Sequence, residues 1–200
     1  MRQRKSEAVL SSARALFLDR GFTATTVDQI AESAHVSKAT VYSNFEDKRA
    51  VLAALLERVA SESEQILADV VTLLKAPGPV EARLERTAVA LATGVLRPEV
   101  LQLRRLALTE SLRFPAEVAA YYDHGPGSTL RLLERAFRDL DAEGLLVVHD
   151  PADAAARFAY SVVGPGQDRA LLTGAAPSPT ETARTASSAA RAFFAAHRPD

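Results

Sequence analysis

The sequence predicts an all-α chain: an N-terminal three-helix domain with a helix-turn-helix, expected over residues 1–49, and a C-terminal helical domain over residues 50–200. Three observations carry that prediction. Apolar residues recur at helical spacing along most of the 200 residues. Pro98, Pro115, Pro151 and Pro179 stand where periodic stretches begin, a position that helices tolerate. Only GLLVVHD, residues 144–150, reads like a strand, and it lacks a partner strand, so it is taken as an extended connector.

The first helix is expected over residues 3–19, with Ala8, Leu10, Ala13, Leu16 and Phe17 near one face. Gly21 is its C-terminal stop. Thr25 and Thr26 precede Val27, and threonine is a favoured N-cap. Val27, Ile30, Ala31 and Ala34 form one face of a short second helix, which His35-Val36-Ser37 interrupts. Ser37 caps a third helix with Val41 and Phe45 at i, i+4. Asp47 caps a long fourth helix, expected over residues 48–74, with Val51, Leu52, Leu55, Leu56, Val59, Ile66, Leu67 and Val70 along it. The run KAPGP then breaks the chain. Helices are expected beyond it over residues 80–96, 98–112, 115–122, 128–143, 151–163 and 179–197.

The composition, 48% hydrophobic and 24% charged, is that of an ordinary globular protein. With no cysteine there is no disulfide frame, thiolate metal site or cysteine nucleophile. The start, MRQRKSEAVLSSARALF, lacks a continuous apolar segment, and no apolar run approaches the roughly 18 residues of a membrane span. A cytoplasmic protein without membrane contact is expected. Net charge is −1, but residues 1–50 hold eight Lys+Arg against six Asp+Glu. Arg2, Arg4 and Lys5 open that segment, and they would add salt-dependent affinity for a polyanion, as a disordered basic tail or as a minor-groove arm.

The stretch SKATVYSNF, residues 37–45, is short and polar. Its apolar positions are Val41 and Phe45, while Lys38, Thr40, Tyr42, Ser43 and Asn44 are left to hydrogen-bond outward. The spacing of Ala31, Val36 and Val41 lets two short helices cross closely, as in a helix-turn-helix. The outer face of the second helix is then free to enter a DNA major groove. The threonines before the second helix put backbone N–H groups where a phosphate can sit, and Lys48 is placed to reach the backbone from the other side.

Residues 21–52, GFTATTVDQIAESAHVSKATVYSNFEDKRAVL, resemble the DNA-binding region of the TetR family of bacterial transcriptional regulators. The resemblance is carried by Gly21, Phe22, Thr25, Thr26, Val27, Ile30, Ala31, Ala34, Val36, Ser37, Thr40, Tyr42, Phe45 and Lys48. Two positions depart from the pattern: His35 replaces the turn glycine, at a site that wants a left-handed backbone, and Ala39 replaces a common glycine. The resemblance implies contact with double-stranded operator DNA through Thr25, Thr26, Ser37, Lys38, Ala39, Thr40, Tyr42, Ser43, Asn44 and Lys48. The plain alternative for these side chains is a solvated helix face.

For the C-terminal part the resemblance implies a homodimer and a pocket for a small, mostly apolar effector. The pocket is expected at Leu103, Leu106, Glu110, Phe114, Tyr121, Tyr122 and Phe137. The dimer is expected to use Ala154, Phe158, Val162, Ala186, Ala190, Phe193 and Phe194 on the last two long helices. For both sets the competing reading is core packing. No catalytic, cofactor or metal residue is expected: GxSxG and HExxH are missing, GPGQ at residues 164–167 lacks the Lys-Ser/Thr of a phosphate loop, and His124, His149 and His197 stand alone. The expectation is a ligand-released repressor on a near-palindromic operator. The alternative is a helical ligand-binding or scaffold dimer that no longer binds DNA, with His35 as its support.

Overall fold

The computed structural model describes residues 2–199, and the side chains of residues 2–3 and 59–67 lie outside what it describes. The expected stripe positions Val59, Ile66 and Leu67, and the side chain of Arg2, fall in that group. Among the described residues there are ten helices and no strand. They are α1 (Arg2–Ala24), α2 (Val27–Ser33), α3 (Lys38–Tyr42), α4 (Lys48–Leu74), α5 (Val80–Val95), α6 (Pro98–Glu110), α7 (Pro115–His124), α8 (Pro126–Ala142), α9 (Pro151–Thr173) and α10 (Pro179–His197). Residues 144–150 form an irregular connector.

Two elements, α1 and α9, run furthest past the ends that the periodicity predicts. α1 does not end before Gly21 but breaks there, at φ 80° and ψ 161°, and resumes for one turn. That turn drops Phe22 into the core, 3% exposed. α9 continues ten residues past Val163 and passes through Pro165. A proline inside a helix removes one hydrogen bond and crowds the preceding turn. The buried face nevertheless continues through Val162, Val163, Gln167 and Ala170, and keeps the segment helical. Gly166 has a packing reason to lack a side chain: a Cβ there would stand 2.9 Å from Leu96 Cδ1 and 3.1 Å from Pro177 Cγ. The helix stops at Gly174, φ 78°, the left-handed cap expected of glycine.

The chain divides into two compact units that do not follow chain order. The first comprises Met1–Ala60 and Gln102–Tyr121. Its core joins Val9, Phe17, Phe22, Ile30, Val41, Phe45, Leu52 and Leu56 to Leu103, Leu106, Phe114 and Tyr121. Phe22 sits between Phe17, at 5.1 Å between ring centroids, and Phe114, edge-on at 4.9 Å. Four residues expected to line an effector pocket therefore build the interior of the unit that carries the helix-turn-helix.

The second unit comprises Ser61–Leu101 and Tyr122–Asp200. α5, α8, α9 and α10 pack together in it. At its centre Phe137, Phe158 and Phe193 form a triangle with centroids 4.9–5.4 Å apart. Phe137 is thus a core residue, and Tyr122 is exposed. The expected effector set is divided between the two units: Leu103, Leu106, Glu110, Phe114 and Tyr121 fall in the first, Tyr122 and Phe137 in the second. The expected dimer set packs within the single chain. Ala154, Phe158, Val162, Ala186, Ala190 and Phe193 are buried within the single chain, and Phe194 packs half-buried against the same core. The stripe read as a dimer face is the inner face of α9 and α10.

Candidate nucleic-acid interface

The interface is built on α2, the turn after it, and α3. Thr26 starts α2 with a capping box: its Oγ1 accepts from Gln29 N at 3.2 Å, and Gln29 Oε1 accepts from Thr26 N at 2.9 Å. Ile30 and Ala31 face the core. At the other end Val36 N donates to Ala31 O at 3.0 Å and His35 N donates to Glu32 O at 3.1 Å. This is the paired closure of a Schellman turn, which requires a left-handed residue at its penultimate position. His35 takes that conformation, φ 53°, the only positive φ at a non-glycine residue among those described.

Ser37 then starts α3 from an extended backbone, with its Oγ accepting from Thr40 N at 3.1 Å. Val41 and Phe45 anchor α3 inward. Asn44 Nδ2 and Ser43 Oγ both donate to Thr40 O, at 2.7 and 2.9 Å, and close the helix. The outward side carries Ser37, Lys38, Ala39, Tyr42 and Ser43, with Thr40 and Asn44 half-buried beside them. Tyr42 is 49% exposed. A hydroxyl-, amide- and methyl-bearing surface of this kind offers the donors, acceptors and apolar contacts that base edges and phosphates take.

Lys38 is held in position. Its Nζ lies 2.8 Å from Asp28 Oδ1, which bridges α3 to the first turn of α2. The hydrogen bond to Asp28 and the charge of that carboxylate raise the lysine pKa. Both side chains are more than half exposed, so solvent screens the pair.

Two expected contacts turn inward. Thr25 is fully buried, with Oγ1 2.9 Å from Gly21 O and 3.3 Å from Leu16 O. Its single hydroxyl proton is shared between these carbonyls, the shorter bond going to Gly21, where α1 breaks. Lys48 Nζ donates to Phe22 O at 2.7 Å, Thr25 O at 2.6 Å and Thr23 O at 3.4 Å. It also sits 4.3 Å from the centre of the Phe22 ring. An ammonium has three N–H groups, and all three are spent on the end of α1. Burial lowers its pKa first, and Arg113 adds to the lowering against the opposing charge of Glu110. Lys48 and Thr25 are thus locks within the fold, not groups reaching towards a phosphate.

The sequence reading missed what residues 102–121 do for this unit. Arg113 Nη1 donates to Thr23 Oγ1 at 2.8 Å, and its guanidinium lies 5.4 Å from the Phe22 ring centre and 5.3 Å from that of Phe114. Arg49 forms an ion pair with Glu117, and that hydrogen bond is the first cause of the lowered Glu117 pKa. These partners are 68 and 90 residues apart in sequence, and no local pattern announces them.

Comparison with known proteins places the arrangement. The family profile of bacterial regulatory proteins of the tetR family matches residues 9–55, and that of the AefR-like transcriptional repressor C-terminal domain matches residues 82–199. The uncharacterised HTH-type transcriptional regulator YvkB of Bacillus subtilis (strain 168) is 28% identical over 162 residues, 80% of this chain and 79% of its own. The crystal structure of a TetR-family regulator from Mesorhizobium loti superposes with a TM-score of 0.91 at 28% identity, covering 100% of this chain and 99% of that one. The flavonoid-responsive regulator FrrA superposes at 0.76 with 29% identity over 98% of each chain. Two profiles that together span the reading head and most of the remaining chain, on a helix-turn-helix built as described, establish that this chain belongs to the TetR family of bacterial transcriptional regulators.

Proposed function

We propose that the protein is a homodimeric repressor that binds a near-palindromic operator through α3 and is released by a small molecule. The observation that carries this reading is the outward face of α3, where Ser37, Lys38, Ala39, Thr40, Tyr42 and Ser43 are presented by a helix pinned at both ends. His35 takes the left-handed turn conformation, so the departure that favoured a DNA-blind scaffold costs the motif little. No turnover is needed to account for any residue of this face.

A single reading head covers a half-site, and two-fold dimers cover two. With the aromatic stripe inside the subunit, the dimer contact falls to the outer sides of α9 and α10. There a shallow groove of about 450 Å³ is lined by Ser161, Arg184, Thr185, Ser188, Ala189 and Ala192. Small side chains allow two helix pairs to approach closely. Ser161→Arg should give a folded monomer by analytical ultracentrifugation; a dimer at unchanged affinity would place the contact elsewhere.

Release requires an effector with different affinities for two states of the dimer. The chain passes between its two units at residues 60/61, 101/102 and 121/122, inside α4, α6 and α7 each time.

The deciding experiment is binding of the purified protein to its own upstream DNA and to unrelated DNA across a salt series. Specific binding that falls steeply with salt, and drops by about tenfold or more in Tyr42→Ala, is expected. Binding unaffected by Tyr42→Ala would remove α3 as the reading helix.

A further inference from the structure

Arg83, on the first turns of α5, is 8% exposed, yet its Nε and Nη2 have no hydrogen-bond partner in the protein. A buried guanidinium without a partner is costly. Nε and Nη2 lie on the same edge of the guanidinium plane, and this edge is the fork that grips a carboxylate through two parallel hydrogen bonds. One turn along the same helix, Thr87 is fully buried and its Oγ1 is also unpartnered.

Arg83 faces a cavity of about 370 Å³ within the second unit, where the end of α4, the start of α5 and the end of α8 meet. Val71, Leu74, Ala136 and Leu140 make the apolar part of its wall. Lys75, Asp139 and Glu143 complete the lining, all three exposed, and neither carboxylate hydrogen-bonds Nε or Nη2. Glu81 and Glu85 flank Arg83 two residues away on α5; Glu85 is turned to Arg191 at 3.5 Å, and neither carboxylate hydrogen-bonds Nε or Nη2. The two rim carboxylates oppose a doubly charged anion such as phosphate, and the apolar wall favours a hydrocarbon body.

We infer that this cavity binds a small apolar monocarboxylic acid, with its carboxylate held by the Nε/Nη2 edge of Arg83 and its hydrocarbon part against Val71, Leu74, Ala136 and Leu140. The inference names an effector class for the repressor proposed above and rests on that reading only for the consequence on DNA; binding itself is separate.

The test is isothermal titration of the full-length protein, free of DNA, with hexanoate and benzoate, and with hexanol and inorganic phosphate as controls. At least one acid should bind and both controls should not. Arg83→Met, which keeps the stem and removes the fork, should weaken the acid by about tenfold or more. Asp139→Asn should bind the acid as tightly or more tightly and unfold at the same urea concentration as the parent. Hexanol binding like hexanoate, acid affinity unchanged in Arg83→Met, or no heat with either acid would overturn the site. So would a large loss of stability in Asp139→Asn, which would make Asp139 the solution partner of Arg83. Operator binding measured alongside separates the two readings. An acid-blind protein that still binds its operator loses only this site, whereas an acid-binding protein that ignores DNA keeps the site and loses the repressor.

Discussion

Lys48 and Arg83 are cations drawn away from solvent, one in each compact unit, and the fold treats them differently. Lys48 spends its three N–H groups on Phe22, Thr23 and Thr25 carbonyls and rests against the Phe22 ring. Arg83 is the more buried of the two and keeps one edge of its fork without a protein partner. A buried charge whose donors are satisfied belongs to the architecture. One whose donors are not satisfied, and which faces a cavity, is available to something that arrives from outside.

The contrast is broken most directly by removing each charge in turn. Lys48→Met should cost about 3 kcal/mol in urea unfolding, because carbonyls at the end of α1 lose a charged donor. Arg83→Met should cost nothing, or stabilise by about 1 kcal/mol, since it removes a desolvated charge and leaves the apolar stem. Equal losses for the two variants would mean that Arg83 is structural after all. A smaller effect sharpens the picture of the reading head. His35→Gly should add about 1 kcal/mol, the steric cost of a left-handed residue with a Cβ, without altering operator affinity. A loss of stability there would mean that the imidazole makes a contact worth more than the backbone strain.

The reading head was legible because its determinants are local. Thr26, Ala31, Val36, Ser37 and Val41 act within a few residues of one another, and capping and turn rules describe them. Even the left-handed His35 followed from its place in the pattern. Thr25 and Lys48 belong to the same pattern, and their residue types suit a phosphate contact equally well. Only the break at Gly21 decides that their polar groups are needed inside. The stripe on α9 and α10 is apolar as its spacing predicts, and within the single chain it packs against the core of the second unit. Periodicity shows that a face is buried and does not say whether the same chain or a second copy buries it. Local signals end α9 at Val163 because proline and glycine weigh heavily in them, while the packing that carries the helix past these residues is tertiary.

The interleaving of the first unit has a consequence for anyone who would treat the reading head as a module. A fragment ending at residue 60 would carry α1, α2 and α3 intact but lack Leu103, Leu106, Phe114 and Tyr121, which fill its interior. It would also lack Arg113 and Glu117, the partners of Thr23 and Arg49. Chimeras that exchange DNA specificity between such proteins therefore need two grafted segments, or a graft confined to the outward positions of α3.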